Sequence, residues 1–306
     1  MSTSFHSSVG QPMIVKYVET LHNGIQSQML SRYAIGYILR GTKYIYDGDK
    51  RQTLTRGDVF YLGLGHHYVE NCPEGGQPFE QILFFYNPTD LQRILLHLNI
   101  TYKLNISNNY LQQEDEHRSH VVMSGWNALR NFFTNTNNYL RDEDFHHDET
   151  AENIKMTELI YLIVSHEDCA IKSKLLSNVD PAKESFEQVI FDHVFKDVGI
   201  EELARLTHRS LTSFKKEFRH VFQMPPHKWY IRQRLIHSRL LLLSTSKSVS
   251  EIGNECTFPN TSHFIKLFKK EYGMTPACYR INHFEKPTPV KLDQQDVETN
   301  SAKVAN

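Results

Sequence analysis

The strongest constraint in this 306-residue chain is a pattern that occurs twice. Ser210, Phe214, Lys216, Phe218 and Arg219 recur as Asn260, Phe264, Lys266, Phe268 and Lys269. Met224, Pro226 and Trp229 recur as Met274, Pro276 and Tyr279, and all eight pairs are 50 residues apart. Upstream, Leu203–Ala204 corresponds to Ile252–Gly253, with the turn one residue different. One offset shared by polar cap, aromatic core and closing proline marks an internal duplication, each copy a small supersecondary unit.

The second copy reads as two short helices. Ser248-x-x-Glu251 is a capping box, in which the Ser hydroxyl caps an amide three residues on and the Glu reaches back. Val249, Ile252 and Cys256 then line one face. Phe258–Pro259 ends that helix, and Asn260 can cap the next. There Phe264, Leu267 and Phe268 point inward, while Thr261, Ser262, His263, Ile265, Lys266 and Lys269 occupy the other faces. Ala204 and Gly253 are the small residues needed where the first helix crosses the second closely. Each copy is therefore a helix-turn-helix candidate. Between the copies, Pro225–Pro226 starts a helix running to about Leu243, with Ile231, Leu235 and Leu242 as its apolar stripe. Lys228, Arg232 and Arg239 fall on one outer face of it.

Charge agrees with a polyanion partner for this segment only. The chain as a whole carries a net charge of −1. Between Arg205 and Arg280, 14 Lys/Arg face four acids, a net of +10 that leaves −11 for the remainder. A basic segment joined to an acidic one indicates that one part meets a polyanion and the other does not.

The segment from about Phe186 to Arg280 resembles the AraC/XylS family of bacterial transcription regulators. The resemblance rests on IEELARLTHRSLTSFKKEF in the first unit and IGNECTFPNTSHFIKLFKKEYGMTPACYR in the second, about a third of the chain. It implies two helix-turn-helix subdomains joined by a linker helix, binding double-stranded promoter DNA, usually as an activator that touches RNA polymerase. Position within the motif implies recognition helices at 210–220 and 260–270. Thr212, Lys215 and Lys216, then Thr261, Ser262, His263 and Lys266, are expected to face bases, with Thr212 and Ser262 open to a simpler role as capping hydroxyls. Arg219, Lys228, Arg232, Arg239, Lys269 and Lys270 are expected at phosphates or as solvated charges. The sequence departs from the family in two places: Thr257 stands where a Gly is usual before Phe258, and Gln223 replaces the Gly retained as Gly273. If position 257 needs a left-handed backbone, Thr carries a strain cost there.

The first half reads as short strands. YAIGYIL (33–39), TKYIY (42–46), DVFYL (58–62) and QILFFY (81–86) are aromatic and β-branched, punctuated by Gly41, Gly57, Gly63 and Gly65, with Asp47–Gly48 as a hairpin turn. GDVFYLGLGHHYVEN (57–71) resembles the second motif of cupin barrels. Metal-binding cupins would carry a His at Tyr68 and an H-x-H in the first motif, and residues 39–48 contain no His. His66 and His67 are adjacent on a strand and point to opposite faces, so they do not converge on one ion. FHHDE (145–149) reads as a loop or a helix start. After Asn87–Pro88 the texture becomes helical, with DLQRILLHL (90–98) and TAENIKMTELIYLIV (150–164). The apolar stripe of the latter, Met156, Leu159, Ile160 and Ile163, either packs on the barrel or pairs with a second copy in a homodimer.

The expected fold is α+β and multidomain. Residues 1–90 form a cupin-like sensing barrel, 91–180 accessory and dimerisation helices, 181–283 the all-α DNA-binding domain, and 284–306 a polar tail. Residues 176–187 read as a linker broken by Pro181. No signal-peptide pattern, membrane span, C-x-x-C, phosphate loop or catalytic triad is present, and the expected location is cytoplasmic. The reading is a DNA-binding regulator responding to a small-molecule or protein effector, with no enzymatic activity, metal or cofactor. The alternatives are a metal-dependent cupin enzyme and a ligand-independent DNA-binding protein.

Overall fold

The structure, a computed structural model, describes residues 13–47, 50–104, 119–141, 148–167, 169–179 and 181–283. Its first half is built on two antiparallel sheets. One holds β1 (Ile14–Glu19), β3 (Tyr33–Arg40), β6 (Asp58–Leu62), β8 (Phe79–Tyr86) and β9 (His120–Ser124), in the order β1-β8-β3-β6-β9. The other holds β2 (Gln26–Leu30), β4 (Thr42–Asp47), β5 (Lys50–Leu54) and β7 (Gly65–Cys72), in the order β2-β7-β4-β5. Inner faces meet in a core that includes Ile38, Ile45, Phe60, Val69, Phe79 and Phe85.

The expected closed barrel is not what forms. No ladder joins the two sheets among the described residues, so the arrangement is a sandwich with open edges. The chain crosses from β3 to β4 through a register shift at Ile38/Arg40 and through Gly41 at φ +81°, which interrupts pairing there. A Cβ on Gly41 would sit 2.6 Å from the Cys72 carbonyl oxygen, so the crossing is tight enough to demand glycine. The larger sheet also takes β9 from beyond residue 90.

Four helices cover the outer face of that sheet: α1 (Pro88–Tyr102), α2 (Asn127–Tyr139), α3 (Glu149–Ser165) and α4 (Ala170–Ser177). Met156, Leu159, Ile160 and Ile163 of α3 are all fully buried within the chain, so this stripe is not free for a second copy. Asp148 caps α3, the helix start expected there; residues 145–147 of that stretch, the turn residue Gly48 and the tail 284–306 lie outside the described residues. The expected linker at 176–187 is mostly helix instead. Here α5 (Pro181–Asp192) begins at Pro181, because a first helical position has no use for an N–H and matches proline's fixed φ.

The second half is all helix: α6 (Ile200–Leu206), α7 (Leu211–Phe222), α8 (Pro226–Ser244), α9 (Val249–Glu255), α10 (Thr261–Tyr272) and α11 (Pro276–His283). It has two cores. Phe186, Ile190, Leu203, Phe214, Phe218 and Trp229 fill the first, and Leu235, Leu242, Ile252, Phe264, Phe268 and Tyr279 the second. The single helix α8 contributes to both. No helix among the described residues is long and apolar enough to cross a membrane.

Candidate nucleic-acid interface

Each unit is assembled from the same parts. The Ser210 hydroxyl accepts from the Ser213 amide at 3.2 Å, and Asn260 Oδ1 accepts from the His263 amide at 2.8 Å, so both second helices start at the expected caps. The Ser248–Glu251 capping box is formed in both directions. Phe214 and Phe218, like Phe264 and Phe268, are fully buried. Gly253 is small for a reason: a Cβ there would lie 3.1 Å from the Phe264 ring. Its counterpart Ala204 is 3% exposed.

The turns agree as well. His208 and Thr257, at φ +55° and +60°, take the left-handed conformation between the two helices of each unit. Gln223 (φ +53°) and Gly273 (φ +77°) take it again at the C-terminal ends of α7 and α10. Thr257 thus occupies a position that favours glycine, and its β-branch makes it an outlier. The His208 position was missed in the sequence, although an offset of 49 residues links it to Thr257.

With inward faces buried, the outward faces carry the expected reading residues. Thr212, Lys215 and Lys216 on α7, and Ser262, His263 and Lys266 on α10, are exposed, and Thr261 is half-buried with its hydroxyl 3.1 Å from that of Ser250. Arg219, Lys269 and Lys270 are exposed near the helix ends, and Lys228 and Arg232 are exposed on α8. Arg239 departs from the expectation. It is 5% exposed, with its guanidinium 5.6 Å from the Tyr272 ring centre, because α10 covers this part of α8. It is placed for packing rather than for phosphate.

The same distinction separates the other arginines. Arg209 is bonded to Glu217 and to the Thr207 carbonyl, and Arg280 to the carbonyls of Leu242 and Lys247. Arg234 bonds three carbonyls. Arg205 pairs with Glu202 and Lys247 with Glu255. Among the described residues, the basic side chains left exposed and without an ion pair in this segment are Lys215, Lys216, Arg219, Lys228, Arg232, Lys266, Lys269 and Lys270. Every one of them is on the α7, α8 or α10 surface. Concentrated uncompensated charge of one sign is the electrostatic footprint of a polyanion site.

The first half docks against this domain through β7. A Cβ on Gly65 would lie 2.5 Å from the Phe191 ring of α5, so backbone and ring are in direct contact. The His66 ring packs edge-on to Phe195 at 4.8 Å, and Phe195 lies 4.5 Å from His237 of α8. Burial pushes the His66 and His237 imidazoles down to about 4 each. His67 faces the other way, 3% exposed, with Nε2 2.8 Å from the Gly63 carbonyl oxygen. The two histidines do point to opposite faces. Beside this contact a cleft of about 850 Å³ runs between the sandwich and the first unit, lined by Tyr33, Tyr68, His220, Trp229 and Arg232 among others. Tyr68 is at its wall, and the hydroxyl of this residue is buried and has no hydrogen-bond partner among the described residues.

One possible metal-ligand group converges among the described residues: His22, Glu70 and Cys72. His22 Nε2 and Glu70 Oε1 are 2.7 Å apart, an imidazole–carboxylate contact that needs no ion. Nearby carboxylates together with burial push the Cys72 thiol up to about 11, with burial the larger cause.

Residues 203–282 match the family described as a helix-turn-helix domain, and residues 33–172 match the family described as the ExsA N-terminal regulatory domain. The C-terminal domain is of the AraC/XylS type. Over 118 residues the chain is 26% identical to a probable transcriptional regulator LumQ of Photobacterium leiognathi, covering 37% of this chain and 48% of that protein. Over 104 residues it is 30% identical to the xylose operon regulatory protein of Escherichia coli K12, covering 34% of this chain and 26% of that protein. The chain thus spans half or less of the length of these curated relatives. A solved structure of apo ToxT from Vibrio cholerae aligns over 90% of this chain and 99% of that one, at 12% identity and a TM-score of 0.48. In this AraC-type domain, the matched segment runs from within α6 to within α11 and takes in the whole of α7, α8, α9 and α10.

Proposed function

We propose that the protein is a sequence-specific, double-stranded-DNA-binding transcription regulator in which α7 and α10 each enter a major groove on one side of the duplex. The observation that carries this reading is the repeated unit on one rigid helix, with uncompensated Lys and Arg on the matching surfaces of both copies. On this reading Thr212, Lys215, Lys216, Thr261, Ser262, His263 and Lys266 face bases. Arg219, Lys228, Arg232, Lys269 and Lys270 neutralise phosphates. Sites for the two helices lie about 10–10.5 base pairs apart.

The sandwich serves as the regulatory half. Its cleft touches β7, α7 and α8 together, so a small molecule bound there contacts sensing and reading parts at once. The exposed His220 and Arg232 side chains in its lining supply polar anchors for such an effector. Activation through RNA polymerase is the mode that the family resemblance supports. A cupin-type enzyme finds no support in the site, since Tyr68 stands where a metal ligand would be needed and His66 is taken up by packing.

The test is a mobility shift on duplexes selected from a random pool, with Lys216→Ala and Lys266→Ala beside the parent. Each substitution should weaken binding about five- to tenfold while the unfolding midpoint is unchanged, and affinity should fall steeply with salt. Parent-like binding by both variants would show that α7 and α10 are not the readers.

A further inference from the structure

The two reading units meet at a joint on α8. Arg234 donates from Nε to the Val194 carbonyl at 3.1 Å and from Nη2 to the Lys196 carbonyl at 3.1 Å, both in the segment that follows α5 in the first unit. From Nη1 it donates to the Thr257 carbonyl at 2.9 Å, in the helix-turn-helix turn of the second unit. The Thr257 hydroxyl closes the joint from the other side, donating to the Phe195 carbonyl at 3.1 Å. Three successive carbonyls of one unit, those of residues 194, 195 and 196, are therefore held by Arg234 and by the turn of the other unit.

This geometry is costly to build. Thr257 is a β-branched residue at φ +60°, a conformation that persists only where the surroundings over-determine it. A guanidinium is the one side chain whose rigid fork presents donors to three separate acceptors at once; a lysine ammonium offers a point charge on a flexible stem. Neither Arg234 nor Thr257 belongs to an aromatic core: Phe214, Phe218 and Trp229 close the first, into which the side chains of Val194 and Phe195 also pack, and Phe264, Phe268 and Tyr279 close the second. The bonds connect units rather than complete them.

We infer that Arg234, together with Thr257, is a positioning residue that fixes the distance and twist between α7 and α10 and so selects the spacing of the two DNA half-sites. This rests on the two-reader function proposed above. A rigid joint gives the second reader a high effective concentration at one spacing and a low one elsewhere, whereas a loosened joint spreads it over several.

The experiment measures full-length protein on three sets of duplexes drawn from a selected operator: the intact site, each half-site alone, and sites with one to five base pairs inserted between the halves. The parent should prefer the intact site over the inserted ones by on the order of 100-fold. Arg234→Gln should lose about tenfold on the intact site, keep half-site binding within about twofold, and show a flattened spacing profile. Thr257→Val, which removes the hydroxyl and keeps the branched shape, should flatten the profile in the same direction, and it reads the joint even if Arg234→Gln folds poorly by circular dichroism. A variant profile that runs parallel to the parent's, whatever the loss in affinity, would overturn the assignment and leave Arg234 as a packing residue. A parent that binds no duplex would instead overturn the function on which the inference rests.

Discussion

Gln223 and Gly273 stand at equivalent places with the same left-handed backbone, and only one of them is a glycine. The side chain at 223 is exposed and gains one bond, from its Nε2 to the His220 carbonyl, which offsets part of the cost of the conformation. Gln223→Gly should therefore stabilise the protein by about 0.5–1 kcal/mol, and Gly273→Gln should destabilise it by a similar amount, both read as shifts in denaturation midpoint. A loss of stability for Gln223→Gly would show that the side-chain bond outweighs the strain. At this scale the sequence was partly legible. The departure from glycine at 223 was visible as a broken repeat, and that at 257 through the family resemblance. The burial of Lys43 went unread, although strand alternation puts it on the same face as Ile45, and its partner Asn71 could be named only from the pairing of β4 with β7. Arg239 was misjudged because residues seven apart share a helix face. Arg232 on that face is open beside the first unit, while Arg239 is covered by Tyr272 of the second.

Among elements, the close crossing of α9 over α10 depends on Gly253. Gly253→Leu pushes a branched side chain into the Phe264 ring, and it should cost more than about 2 kcal/mol by overpacking. Its effect should be local, removing footprint protection at one half-site and sparing the other, because the two aromatic cores share no buried residue. The helix-turn-helix units were legible because caps, turns and inward aromatics are short-range signals. Strand β8 was legible as a continuous apolar run, being buried on both faces between the second sheet and the helices. Sheet order and the missing closure were not, because they depend on long-range pairing such as β6 with β9. The linker expectation at 176–187 failed for a local reason: Pro181 was read as a breaker where it acts as a helix start.

In the whole molecule, the contact between sandwich and DNA-binding domain carries a pH dependence. The His66 and His237 imidazoles are held at about 4 by burial, below the ordinary value of 6.5, so the neutral forms are the ones buried. The docked state is then fully stable above about pH 6.5 and loses stability as pH falls toward 4, on the order of 1 kcal/mol per histidine by pH 5. His237→Phe should shrink the loss of urea midpoint between pH 7 and 5, and an unchanged loss would place the titration elsewhere. No property of the sequence indicated this contact, which joins residue 66 of the sandwich to residues 195 and 237 of the helical domain. The central claim concerns the molecule as a rigid double reader, and a hydroxyl-radical footprint on a selected operator tests it most directly. Two protected patches on one face, centred about 10–10.5 base pairs apart, are predicted. A single patch, or two patches on opposite faces of the duplex, would contradict it.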